Sequence, residues 1–381
     1  MLDAANETPF SMTYGTKAWF YVCSPWLSNI KDNQNKAIKS HKQQVPMLIV
    51  PDENKHIWRV YNVMNNKFLD LNLFVPHDTC FCASSEGWLV TVNKDYGITL
   101  YKPTFMIEEG NISGNKIIQL PSLSSLDPME VCSIGMRRTY IKKIAISTID
   151  SIENLDDFEV AVIYGEYLHL ASIRPTKDNK WTRVVDTQTP LHDIMYHNNQ
   201  FYAVHISGKM VCFNVRNSIN LNIKTIVENF PIDEEISIDD QEREFLSFRY
   251  LVESYGELLL VERYWNNFES DHITVKFKIF KLNLDGLRWV KIKSLGDVAL
   301  FLGNNSSLSV IASNFDKCQP NCIYFTHHED ELGYGPHGPS DMGIYNIESG
   351  SFTWNFTMNL DVIAKMDERP PIWLLPKISA Y

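Results

Sequence analysis

A unit of three short strands recurs along this chain, and a repeat of that kind leaves few folds open. One copy holds the runs 87–92 (Gly-Trp-Leu-Val-Thr-Val), 97–102 and 116–123; another holds 256–261 (Gly-Glu-Leu-Leu-Leu-Val), 276–282 and 288–295, with the same apolar rhythm. A third unit runs 143–185 and ends on Trp181-Thr-Arg-Val-Val185. A fourth runs 193–227 and contains a hairpin turning at Ser207-Gly208. Residues 47–73 and 298–355 supply two more. Units of roughly 40 to 50 residues, each an antiparallel sheet too small to bury its own faces, must stack or wrap. The reading is all-β: a β-propeller of six blades, a seventh being compatible with the grouping. Two stacked β-sandwiches would show similar turn spacing and are the competing fold.

The first unit is one strand short, and the run Pro371-Ile-Trp-Leu-Leu-Pro376 is strand-like without a unit of its own. We expect it to complete the first blade and close the ring, which removes the open sheet edges that invite aggregation. The tryptophans at 88, 181, 289 and 354 all fall in repeat strands, where most are expected to pack one blade against the next. The clearest helical candidate is 24–39, weakened by Pro25 near its start.

Composition narrows the function classes. The net charge of −11 argues against phosphate backbones and anionic lipid surfaces as partners. Seven scattered cysteines, without a signal peptide or an apolar span, read as reduced thiols of an intracellular protein, in cytoplasm, nucleus or both. The sequons at Asn111, Asn304, Asn305 and Asn355 then carry no glycan.

The search for chemistry returns no catalytic residue, cofactor or metal site. Cys318-x-x-x-Cys322 with His327 and His328 superficially offers four zinc ligands. The intervening strand turns alternate side chains to opposite faces, so the four would not converge. Cys80-x-Cys82 reads as two small apolar side chains in a strand. Neither a glycine-rich phosphate loop nor a nucleophile motif is present. Two non-strand stretches stand out, the acidic 233–244 and the Gly/Pro-rich 329–341. Tyr334 and His337 in the second are candidate binding residues, because long loops on rigid scaffolds are where binding usually sits.

Eight blocks then carry a resemblance in order from about residue 45 to 377: Ser85-Glu-Gly-Trp-Leu-Val-Thr-Val92, Ile118-Gln-Leu-Pro-Ser-Leu123, Trp181-Thr-Arg-Val184, Phe201-Tyr-Ala-Val204, Tyr250-Leu-Val-Glu-Ser254, Ser294-Leu-Gly-Asp-Val-Ala-Leu-Phe-Leu-Gly303, Asn321-Cys-Ile-Tyr-Phe325 and Pro371-Ile-Trp373. Together they resemble the plant F-box proteins with a KIB-type β-propeller. The resemblance implies a non-enzymatic protein-interaction propeller at 45–381, the substrate receptor of an SCF-type ubiquitin ligase, whose F-box docks on the Skp adaptor while the propeller holds a target protein. Residues 20–32 resemble the last F-box helix, with Val22, Cys23, Trp26 and Leu27 as an adaptor-facing remnant within an N-terminal segment 1–44. The leucine-rich helices expected before it are not seen in residues 1–19, and half a helical bundle cannot bury its apolar stripe. This truncation weakens the expectation of ligase coupling. The alternatives are a propeller enzyme with its site at the axial channel and a functionless truncated copy.

Overall fold

Two-residue turns cut this chain into short strands. Glu86-Gly87, with φ of 51° and 77°, joins Ser85 to Trp88; Tyr255-Gly256, with φ of 52° and 84°, joins Ser254 to Glu257. Two consecutive positive φ values make the turn whose twist matches that of the strands it links, and glycine takes the second position without a Cβ penalty. Asn198-Asn199 repeats the device between two further strands.

The computed structural model describes residues 46–52, 57–74, 80–93, 95–102, 116–126, 140–147, 158–184, 190–215, 223–228, 230, 245–266, 273–304, 307–327, 341–354 and 371–375. Blade 1 holds β1 (Met47–Pro51), β2 (Ile57–Asn62) and β3 (Lys67–Phe74). Blade 2 holds β4 (Cys80–Ser85), β5 (Trp88–Val92), β6 (Gly97–Lys102) and β7 (Lys116–Ser122). In blade 3 come β8 (Ile141–Ile146), β9 (Val160–Tyr164), β10 (His169–Ile173) and the two-residue β11 (Thr182–Arg183). Blade 4 has β12 (Leu191–His197), β13 (Gln200–His205), β14 (Met210–Phe213) and β15 (Lys224–Val227). Blade 5 is the longest: β16 (Phe245–Ser254), β17 (Glu257–Asn266), β18 (Thr274–Asn283) and β19 (Arg288–Ile292). Blade 6 contains β20 (Val298–Leu302), β21 (Ser307–Ile311), β22 (Cys322–Phe325), β23 (Gly343–Asn346) and β24 (Phe352–Trp354), and β25 (Ile372–Leu374) follows.

The fold is a six-bladed propeller, as expected. β25 pairs antiparallel with β1, Leu48 opposite Trp373, so the last strand becomes the innermost strand of the first blade. Two details depart from the three-strand reading. Blades 2 and 5 each gain an inner strand that precedes the turn, β4 before Glu86-Gly87 and β16 before Tyr255-Gly256. Blade 6 has five strands, in the order β21-β20-β22-β23-β24, with β20 and β22 parallel. A parallel neighbour cannot be joined by a tight hairpin, which is why β21 and its following turn intervene.

The core is divided among the gaps between blades. Six apolar clusters lie one to a gap, including blade 6 against blade 1, where Leu48 and Trp373 meet Phe301 and Tyr324. Trp88, Trp181 and Trp289 are buried, and Trp181 Nε1 donates to the Pro121 carbonyl of the preceding blade at 2.8 Å. Trp354 differs. It sits on the outermost strand of blade 6, 37% exposed, stacked on Phe352, because an edge strand has no further blade sheet to cover it.

Hydrogen bonds or ion pairs cross every gap as well. Ser84 Oγ donates to the Trp373 carbonyl, joining blade 2 to blade 1, and Ser85 Oγ accepts from Ile146 N at 3.1 Å, joining 2 to 3. Asp193 in blade 4 faces Lys143 of blade 3 and accepts from Leu251 N of blade 5 at 2.9 Å. Ser309 Oγ donates to the Glu253 carbonyl at 2.8 Å, linking 6 to 5. Trp373 Nε1 donates to the Leu302 carbonyl at 3.0 Å, linking 1 to 6.

Trp373→Ala removes the closing contact from both sides, and we expect it to cost about 3–5 kcal/mol in urea unfolding. Trp354→Ala, at an exposed edge, should cost less than about 1 kcal/mol. Equal losses for the two variants would show that closure is not where stability concentrates.

Candidate functional site

The antiparallel registers give the ring two distinct ends. The upper end carries the starts of the innermost strands and the connections from second to third strands; the lower end carries the tight hairpins at Glu86-Gly87, Asn198-Asn199 and Tyr255-Gly256. Between them the innermost strands β25, β4, β8, β12, β16 and β21 surround the axis. A cavity of about 90 Å³ on this axis is lined by residues of all six blades, from Leu375 after β25 to Ser307 on β21.

Backbone irregularity sets what faces that cavity. β4, β8 and β12 each bulge near their starts, with the pairing skipping Cys82, Lys142 and His192. A bulge re-aims the side chains around it. The residue that follows is Ala83 in blade 2, Lys143 in blade 3 and Asp193 in blade 4, so equivalent positions of adjacent blades carry opposite charges. Lys143 Nζ lies 3.5 Å from Asp193 Oδ1, with both side chains about 95% buried. Asp193 also accepts from Ile194 N at 2.8 Å and Leu251 N at 2.9 Å. Burial lowers the Lys143 pKa and raises that of Asp193, and their mutual attraction opposes both shifts. Tyr250 and Phe248 present ring faces to the ammonium at 5.1 and 5.6 Å.

Above this pair, the skipped His192 is buried and stacked on Phe248 with ring centroids 4.5 Å apart. Its Nδ1 has no hydrogen-bond partner among the described residues. Burial first, then the Arg249 and Lys143 cations, push its pKa down to about 3. Arg249 pairs with Glu262 at 2.5 Å and donates to the Ile206 carbonyl of blade 4.

A second buried charge pair fastens blade 5 to blade 6 at the upper end. Arg263 on β17 is fully buried. It donates to Asp341 Oδ2 at 2.8 Å, to the Thr326 carbonyl at 2.8 Å and to Thr274 Oγ1 at 2.7 Å. Asp341 in turn accepts from Thr274 N at 2.9 Å and Trp265 Nε1 at 3.0 Å. Thr326 and Asp341 thus brace the two ends of the connection from β22 to β23, the Gly/Pro-rich stretch singled out by sequence. Tyr334 and His337 themselves lie outside the described residues, as do Val22, Cys23, Trp26 and Leu27. Cys318 and Cys322 are buried free thiols; burial raises Cys318 to about 11. The described residues contain no group of three or more side chains placed to hold a metal ion.

Lys143, Asp193, Arg263 and Asp341 were missed in the sequence. The available signal was a charge inside an apolar strand, as in Ile141-Lys-Lys-Ile-Ala-Ile146 and Leu258-Leu-Leu-Val-Glu-Arg263. Period-2 patterning assigns such a charge to solvent unless the bulge or the neighbouring blade is known.

A family model described as the KIB1-4 beta-propeller matches residues 60–346. The F-box protein SKIP23 of Arabidopsis thaliana is 24% identical over 337 residues, covering 79% of this chain and 77% of its own. A putative F-box protein of the same plant, At3g25750, is 27% identical over 290 residues, covering 71% and 72%. Among solved structures, virginiamycin B lyase from Staphylococcus aureus aligns over 85% of this chain and 87% of its own at 10% identity and a TM-score of 0.36, a likeness too loose to bear on activity.

Two expectations follow from the buried charges. Asp341→Ala leaves Arg263 buried without its counter-ion and should cost about 3–5 kcal/mol in unfolding free energy, whereas the double variant Arg263→Met/Asp341→Ala should lose less than the single one. For His192, the folded pKa lies below the unfolded 6.5, so its neutral form stabilises the fold above pH 6.5. That stability should fall as pH drops towards 3, by up to about 1.4 kcal/mol per unit. In His192→Phe, which keeps the ring stack, unfolding followed between pH 7 and 4 should show a shallower acid limb.

Proposed function

From the premise that this chain belongs to the KIB1-4 beta-propeller family, we propose that it is a protein-recruiting propeller, the substrate-receptor part of an SCF-type ubiquitin ligase, acting without catalysis of its own. The observation that carries the reading is the match to the family model over residues 60–346 of the closed ring, together with the F-box relatives. A ring of blades locked by polar bonds across every gap is a rigid platform, and rigid platforms present binding loops at low entropic cost. The bracing of Thr326 and Asp341 by Arg263 supports the 329–341 stretch, with Tyr334 and His337, as part of the surface that meets the target.

In this reading residues 45–381 hold the target and the segment 1–44 faces the Skp adaptor through Val22, Cys23, Trp26 and Leu27. Adaptor and target are both proteins, with nucleic acid and membrane surface disfavoured by the net charge of −11. Among the described residues no helix is long and apolar enough to cross a membrane. The setting proposed is intracellular, in cytoplasm, nucleus or both, in keeping with the free thiols at Cys212, Cys318 and Cys322.

Mixing the purified full chain with a plant Skp adaptor tests the ligase half of the reading. The incomplete F-box predicts weak coupling at most, so a complex stable to gel filtration, and weakened at least tenfold (about 1.4 kcal/mol) by Trp26→Ala/Leu27→Ala, would show that ligase membership survives the truncation. Tyr334→Ala/His337→Ala should leave adaptor affinity unchanged. A folded chain that shows no adaptor binding at micromolar concentration would detach this propeller from the ligase.

A further inference from the structure

The axial cavity has open hydrogen-bonding capacity of a definite kind. Lys143 is about 96% buried, and its ammonium meets one polar partner among the described residues, Asp193 Oδ1 at the long distance of 3.5 Å. An ammonium carries three donors, and Asp193 is its one acceptor among the described residues. Ser307 Oγ is buried without a hydrogen-bond partner among the described residues and lines the same cavity. Buried donors left unmade cost about 1–3 kcal/mol each, and natural structures satisfy such groups. The two belong to blades 3 and 6 and border one space of about 90 Å³, with room for a small polar group and water.

Charge decides which polar group. The lining carries one cation, Lys143, against Asp193 and Glu86. A carboxylate would add a further negative charge beside Asp193 in a desolvated site. A cation would meet the Lys143 ammonium, and Asp193 already accepts from two backbone N–H groups. An uncharged carbonyl oxygen has two lone pairs, takes donors from an ammonium and a hydroxyl together, and adds no charge. We propose that the axial cavity is a receptor for an uncharged amide carbonyl, held by Lys143 Nζ and the Ser307 hydroxyl. The amide comes from a small molecule or from the Asn or Gln side chain of a partner. This site goes beyond the recruiting role and does not depend on adaptor binding.

The test is methyl NMR of the full chain, following Ile146, Met195 and Leu308 around the cavity. Acetamide, acetate and methylammonium are titrated separately, then N-acetylasparagine amide. Acetamide should give saturable shifts at these methyls, and acetate and methylammonium should not. Ser307→Ala removes an unpartnered hydroxyl, so it should keep the unfolding midpoint while weakening acetamide at least fivefold. Lys143→Met should abolish the shifts; if it does not fold, Ser307→Ala decides. Tighter binding of N-acetylasparagine amide than of acetamide assigns the site to a partner side chain, and the reverse order assigns it to a small amide. The proposal is overturned by saturation with acetate or methylammonium but not acetamide, by the absence of saturable shifts, or by an acetamide affinity untouched in Ser307→Ala.

Discussion

Closure is the constraint on which the rest of the molecule depends. Each blade is a twisted sheet with one core face towards each neighbour, and a row of such sheets has two unsatisfied ends until the last meets the first. Trp373 joins them by three means at once. Its backbone pairs with Leu48 in blade 1, its indole N–H reaches the Leu302 carbonyl of blade 6, and its ring meets Phe301 edge to face at 5.0 Å. The carbonyl of the same residue accepts from Ser84 of blade 2. One residue near the C-terminal end of the repeat region therefore ties three blades together. Contacts across 289 residues of sequence impose a large loop-closure entropy before they stabilise anything, which favours concentrating several interactions on one side chain.

Much of this was legible in the sequence because its period is short. Alternating runs bounded by Glu86-Gly87 and Tyr255-Gly256 reveal hairpins, and the strand-like run 371–376 with no unit of its own reveals closure. What the sequence concealed depends on register. The bulges that skip Cys82, Lys142 and His192 cannot be seen from composition, since one extra residue in a strand changes which face every later side chain takes. The parallel pairing of β20 with β22 was hidden for a related reason: β21 and β22, adjacent in sequence, are assumed to pair, and here they lie on opposite sides of β20, β21 towards the axis. Arg263 was invisible as a core residue because its partners, Thr326 and Asp341, lie more than sixty residues away in another blade.

The same registers explain why charge collects near the axis. Innermost strands are short of space for large side chains and rich in backbone edges, so small hydroxyls such as Ser84, Ser85 and Ser309 serve as bridges there. Where a bulge turns a long side chain inward, it meets the equivalent position of the next blade, and a salt-bridged pair is the arrangement that leaves neither charge alone. Lys143 and Asp193 are that pair, and the two backbone donors to Asp193 show that its desolvation is offset by more than the lysine.

A buried ion pair contributes little net stability over an apolar pair of the same volume, because desolvation consumes the Coulombic gain. Its effect on blade order is larger. Six sheets of similar apolar faces could pack against one another in several orders with comparable area buried, as far as the hydrophobic term is concerned. Lys143 finds its carboxylate only if blade 4 follows blade 3, and Arg263 finds Asp341 only if blade 6 follows blade 5. Any other order buries an unpaired charge, at a cost several times that of losing an exposed salt bridge. The apolar clusters supply the stability of the ring, and the two charge pairs favour blade 4 beside blade 3 and blade 6 beside blade 5.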